Sequence, residues 1–203
     1  MSARLVIRYE DDAIVVIDKP FGLPSQAPRG GGPNAYDEVR RRLPRAALLH
    51  RLDTVASGLL LFSVDPTVNS ALTDAFRNHA IRRGYRAVVA GTGIDRTTWD
   101  ARVEGRNART RVVPLGTGQG CTAVELWPET GRKHQLRVHA AMAGRPMCGD
   151  RRYGGDAARR WSRLALHAAE LAFTHPQTGL LVTVSSPLPD DLVGLWRLAS
   201  GPL

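Results

Sequence analysis

The longest apolar runs in this chain, such as residues 13–17 (AIVVI) and 58–62 (GLLLF), are only five residues each. A bilayer span needs about 20, so neither run crosses a membrane. An uninterrupted, mostly β-branched run of this length fits a strand buried on both faces. A chain with such short apolar stretches must assemble its core from several strands and amphipathic helices. Hydrophobic residues make up 43% and charged residues 23% of the 203 positions, a globular balance that excludes wholesale disorder and collagen-like structure.

Punctuation between the runs places the remaining elements. Residues 19–24 (KPFGLP) stop the first strand, and residues 28–33 (PRGGGP) form a loop. Asn34 caps a helix with Tyr36, Val39 and Leu43 on one side. Asp65 and Pro66 open a second helix as N-cap and N1, with Val68, Leu72, Ala75 and Phe76 as its apolar stripe. Residues 85–89 and 122–127 read as strands, and a helix is expected over about 133–143, ended by Gly144 with Pro146 beyond. Residues 171–173 and 180–184 flank the turn PQTG and form a closing hairpin. Many strands, few helices and no regular βαβ alternation predict an α+β fold, without a visible domain boundary.

Residues 1–20 carry Glu10, Asp11 and Asp12 ahead of their apolar stretch, the reverse of a signal peptide's order. The expectation is a soluble, unexported, cytoplasmic protein without membrane contact. The formal charge is +9; of 28 basic residues only Lys19 and Lys133 are lysines, and the other 26 are arginines. Arginine's planar fork of donors suits phosphate oxygens, so a nucleic-acid partner comes first. A merely solvated basic surface is the alternative, and charge alone does not separate the two. Cys121 and Cys148 lack paired spacing and fit two ordinary thiols.

Several chemistries find little support. His134 and His139 are five apart, about 140° around a helix axis, so they do not stack as paired metal ligands do. Residues 116–120 (GTGQG) precede no helix pattern and read as a hairpin loop, not a dinucleotide cradle. Ser57 lacks the surroundings of a nucleophile elbow. Residues 50–61 (HRLDTVASGLLL) differ in kind. They set a carboxylate, Asp53, in a polar loop shortly before a buried strand, with Arg51 two residues away. From this segment alone, Asp53 is either a catalytic carboxylate or the partner of a structural arginine.

This segment resembles the HRLDxxTSGLLL signature of the RluA-type RNA pseudouridine synthases (the RsuA/RluA superfamily). Residues 9–22 (YEDDAIVVIDKPFG) resemble that family's opening strand and KPxG loop. Residues 83–91 (RGYRAVVAG) resemble KxYxAxVxG, and residues 130–154 (TGRKHQLRVHAAMAGRPMCGDRRYG) resemble TGRxHQIRxHxxxxGxPIxGDxxYG. Residues 166–189, LHAAELAFTHP through SSPLP, are similar to its closing hairpin. The likeness spans about residues 5–192. Departures are Ala56 in place of a usual Thr, Arg83 in place of Lys, and Ser186 where Ala is common.

The resemblance implies one catalytic domain over residues 1–203, α+β, with a mostly antiparallel mixed sheet flanked by helices. It leaves no room for the N-terminal S4 RNA-binding domain that many relatives carry. It also implies isomerisation of uridine to pseudouridine in structured RNA, ribosomal or transfer, without cofactor or metal. Asp53 is then the catalytic carboxylate, acting by attack on a substrate carbon or by removing the ribose 2′ proton. Arg137 is the fixed cation that keeps it charged, and Tyr85 stacks on the uracil. Leu136 is either an apolar wall of the site or plain core. Arg51 is a candidate wedge for the space left by an extruded base. His50 bonds neighbouring backbone or contacts RNA. Basic clusters at residues 40–42, 82–86 and 145–163 are candidate phosphate contacts. DNA is not an expected partner, and a monomer is the default. The rival reading is a non-catalytic RNA-binding protein or RNA chaperone built on the same fold.

Overall fold

The computed structural model describes residues 5–155 and 161–200. Its elements in chain order begin with β1 (Val6–Glu10), β2 (Ile14–Lys19), α1 (Ala35–Arg42), β3 (Ala47–Leu48), β4 (Ser57–Ser63) and α2 (Asn69–Arg77). They continue with β5 (Arg82–Ala90), β6 (Thr97–Trp99), β7 (Thr110–Gly118), β8 (Cys121–Pro128) and α3 (Gln135–Met142). The last are β9 (Leu166–Thr174), β10 (Leu181–Ser185) and α4 (Asp190–Ser200). They fall into two compact units, Met1–Arg82 with Ala168–Ser186, and Arg83–His167 with Pro187–Leu203.

In the first unit the pairs β1–β2, β2–β4, β3–β4 and β9–β10 are all antiparallel. The turn between β1 and β2 is set by Asp11, whose carboxylate accepts from the N–H groups of Ala13 and Ile14, both at 2.9 Å. The short apolar runs behave as expected: Ile14, Val15 and Val16 are 0% exposed, and every residue of β4 is buried. Ile14, Val16, Leu59 and Leu61 pack with Leu72 from α2 and with Leu171, Phe173 and Val184 from the hairpin. Each such side chain contributes about 1.5–3 kcal/mol of burial. Asn34 caps α1 by accepting from the Asp37 N–H at 2.9 Å. Asp65 caps a 3₁₀ turn, Pro66–Val68, which runs into α2 in place of a single α-helix. Gly58 has φ +112° and faces the backbone of Ala168 so closely that a Cβ would lie 2.3 Å from that carbonyl oxygen. Only glycine suits both the dihedral and the approach.

In the second unit β5 pairs with β8, β8 with β7 and β7 with β6, again antiparallel. The glycine-rich stretch is a hairpin, as expected, but Gly116 and Gly118 belong to β7 and the turn is only Gln119-Gly120. Both turn residues have positive φ, 54° and 72°, the pattern of a type I′ turn. The two strand glycines admit α4, since a Cβ at either would lie 2.1 Å from the carbonyl oxygen of Ser200 or Leu198. Sequence reading missed α4, which packs Leu192, Trp196 and Ala199 against Val88, Cys121, Ala123, Cys148 and Ala165. The two cysteine sulfurs are 3.6 Å apart and buried as thiols. Helix α3 begins two residues later than expected because His134 is left-handed, at φ 54°. Strands thus dominate, pairing antiparallel with helices packed on them: an α+β fold.

Candidate functional site

The loop carrying Asp53 is mounted on fixed backbone. Lys19, 0% exposed at the end of β2, donates to the carbonyl oxygens of Ala56 (2.6 Å), Leu23 (2.8 Å), Pro20 (3.0 Å) and Thr54 (3.5 Å). The Ser25 hydroxyl donates to Leu52 O at 2.9 Å and accepts from Leu52 N at 3.0 Å. Gly22 N donates to Thr54 O at 2.9 Å, and Ala56 N to Asp53 O at 3.0 Å. The residues on either side of Asp53 are therefore held through their main chain, while Asp53 itself is half-buried. The loss of the usual Thr hydroxyl at Ala56 matters little to this arrangement, because Lys19 uses the backbone carbonyl.

His50 accepts from the Leu61 N–H of β4 at 3.0 Å through Nε2 and stacks on Phe76, with ring centroids 4.5 Å apart. That bond places the proton of the neutral ring on Nδ1, and ties the start of the loop to the buried strand. Arg51 is exposed. Ser186, the departure near the chain's end, donates to Asp18 at 2.5 Å and so ties the segment after β10 to β2.

In the second unit, Tyr85 lies on β5 opposite Leu126 of β8 and is 9% exposed. Leu136 and Arg137 lie on α3, 8% and 6% exposed. Arg137 makes a two-bonded pair with Asp150, Nε to Oδ2 at 2.9 Å and Nη2 to Oδ1 at 2.8 Å. Asp150 Oδ1 also accepts from Arg152 N (3.0 Å) and Tyr153 N (3.1 Å). Burial pushes the Asp150 carboxyl up, but the bonds and charge of Arg137 and the two N–H groups outweigh it and hold it below the usual range. The Tyr153 ring lies under the guanidinium, with its centroid 5.0 Å from Cζ, and its hydroxyl bonds His134 Nδ1 at 2.8 Å.

Sequence reading passed over Asp150 and Tyr153, although both stand in the GDRRYG end of the motif carrying Arg137; their spacing gives no sign of pairing. Gln135 was missed likewise. Its Oε1 accepts from Thr130 Oγ1 (2.6 Å) and Arg132 N (3.0 Å), while Nε2 donates to Arg109 O (2.9 Å) and Thr110 Oγ1 (3.0 Å). Every polar atom of that amide is used, which anchors the loop leading into α3. His139 bonds Thr110 Oγ1 at 3.0 Å and Ala101 O at 2.8 Å. Among the described residues, no group of three or more His, Cys, Asp or Glu is placed to hold a metal ion.

The basic clusters are only partly surface. Arg41 and Arg42 on α1 pair with Glu38 and Glu10, and Arg82 pairs with Glu170, all with exposed guanidinium groups. Arg163 is 6% exposed and turned inward onto Asp191 at 2.9 Å, so it leaves the proposed phosphate-tracking face. Arg159 and Arg160 lie outside the described residues.

A family model for RNA pseudouridylate synthase matches residues 13–142. The ribosomal large subunit pseudouridine synthase D of Neisseria meningitidis serogroup A is 33% identical over 97% of this chain and 62% of its own length. The protein of the same name from Xanthomonas campestris pv. campestris is 34% identical over 93% of this chain and 67% of its own length. The chain thus spans about two thirds of the length of the curated relatives it matches. The solved structure of human RNA pseudouridylate synthase domain containing 1 superposes with a TM-score of 0.80 at 26% identity, over 92% of this chain and 84% of that one. With the motif segments folded as that likeness requires, the chain belongs to the RNA pseudouridylate synthase family.

Proposed function

We propose that this protein isomerises uridine to pseudouridine within RNA in the cytoplasm. The reaction breaks the N1–C1′ bond, turns the uracil and joins C5 to C1′; the C5 proton is lost and N1 gains one. Atoms balance without a donor or redox partner. The observation that carries this reading is the mounting of Asp53, a carboxylate between two backbone segments held by Ser25 and Lys19, four residues before the start of a fully buried strand. Catalytic groups need such fixed support, since small misplacements are costly.

Asp53 acts by attack on a substrate carbon or by removing the ribose 2′ proton. Arg137 supplies the fixed cation that a carboxylate in a closed site needs to stay ionised. Tyr85 offers a ring for the uracil. Extruding the base costs a few kcal/mol, and Arg51, exposed two residues before Asp53, fills the vacated place. The relatives named for the large ribosomal subunit favour ribosomal RNA as the substrate class. The test is a map of pseudouridines in total RNA from cells with and without the gene, with rescue by wild type or Asp53→Asn. At least one modified uridine is expected to disappear and to return only with wild type. An unchanged map, or full rescue by the variant, defeats the proposal.

A further inference from the structure

We infer that Asp150 is a positioning residue: it fixes the plane and roll of the Arg137 guanidinium before RNA arrives, so that this cation acts through directed donors and not as a loose charge. The inference rests on the role proposed above for Arg137. One hydrogen bond leaves a guanidinium free to turn about it, whereas two parallel bonds to one carboxylate fix the plane. Arg137 has two, at 2.9 and 2.8 Å, with its side chain 6% and that of Asp150 0% exposed.

The carboxylate is itself held. Its Oδ1 takes the N–H groups of Arg152 and Tyr153, while Asp150 N donates to Met147 O (3.1 Å) and Asp150 O accepts from Gly154 N (2.8 Å). A turn thus grips the residue by its side chain and by both ends of its backbone. The Tyr153 ring lies beneath the cation, its centroid 5.0 Å from Arg137 Cζ, and is tied by its hydroxyl to His134. His134 carries the left-handed backbone that starts α3, three residues before Arg137. Strained positions of this kind persist where their surroundings over-determine them. The brace runs from the start of α3 through Tyr153 and Asp150 back to Arg137, entirely within residues 134–154.

Stability alone is a poor explanation for this pair. Desolvating two charges costs as much as their attraction returns, and an apolar replacement of equal volume is often as stable. A pair kept only to neutralise a buried arginine would not need two aligned bonds, two backbone donors and a ring beneath it. Orientation accounts for all of them, because preorganised donors cost no rearrangement during the reaction.

The experiment uses unmodified, in vitro transcribed large-subunit ribosomal RNA as the probe. It measures single-turnover pseudouridine formation in that RNA and affinity for it with wild type, Asp53→Asn, Asp150→Asn and Tyr153→Leu, each checked for folding by its melting curve. Asp150→Asn keeps the shape but offers the cation one acceptor oxygen. Its rate is expected to fall about 100-fold, the scale of a 1 Å misplacement, with RNA affinity within about threefold of wild type. In an Arg137→Lys background the same change is expected to have less than about a threefold effect, because an ammonium has no plane to orient. A rate within threefold of wild type, a loss confined to RNA affinity, or an equal loss in both backgrounds overturns the inference. If Asp150→Asn does not fold, Tyr153→Leu takes its place in the same cycle with the same criteria. Wild type that forms no pseudouridine, or fully active Asp53→Asn, overturns the proposed function and this inference together. Active wild type, inert Asp53→Asn and an unaffected Asp150 variant overturn this inference only.

Discussion

Replacing Gly58 by alanine separates two costs that glycines conceal. At φ +112° a side chain meets backbone strain, about 1–2 kcal/mol for an L-residue in a left-handed conformation. The new Cβ would also lie 2.3, 2.6 and 2.8 Å from the O, N and C atoms of Ala168. Those are main-chain atoms of a strand and cannot rotate aside, so the backbones must part at an overpacking cost of about 1–3 kcal/mol. The expected loss is about 2–5 kcal/mol, or a melting temperature lower by about 5–15 °C for a chain of this size. Gly22→Ala is the control: its φ is +83°, but nothing lies within 4 Å of its Cβ, so only the strain applies. Urea unfolding of both variants, followed by circular dichroism, gives the comparison. Because Gly58 follows the Asp53 loop at the start of β4, its variant should also slow turnover more than the control does. Equal destabilisation of the two variants, or a Gly58→Ala loss below about 1 kcal/mol, would falsify the steric reasoning.

Lys19→Met removes the ammonium from four carbonyl oxygens and should cost about 3 kcal/mol or more; a urea midpoint shift worth less than about 1 kcal/mol would mean that those oxygens find other donors. The depressed carboxyl of Asp150 makes a pH prediction. Its stabilisation is complete above the unfolded value of about 3.9 and is lost as pH falls through the lower folded value. Melting temperatures taken from about pH 5 down to pH 2 should therefore fall less steeply in Asp150→Asn than in wild type; parallel curves would refute the linkage.

Local signals read well. Asn34 and Asp65 cap where their positions said they would, because capping depends on a side chain and the next few N–H groups. The two short apolar runs became the buried strands, because runs this short, bounded by turn residues, fit a strand better than a helix. The Asp53 loop was legible as a polar loop on a rigid strand. The borders of the two compact units at Arg82/Arg83 and His167/Ala168 carry no linker signal in the sequence. Helix α4 was missed because its opening Asp190-Asp191 resembles a polar tail, and the glycines that admit it lie some eighty residues earlier in β7.

Lys19 shows the limit most clearly. Lysine is almost never fully buried without partners, and nothing in its neighbours along the chain says otherwise. It is 0% exposed because four carbonyl oxygens converge on it. Arg137 is similar: its type and motif were plain, but its brace by Asp150 and Tyr153 was not. The sequence by itself determined strand and helix periods, caps, family and the chemical types available. Only the tertiary structure decided which charges are buried and what satisfies them, because burial and hydrogen-bond partnership depend on neighbours in space, which the order of residues along the chain does not specify.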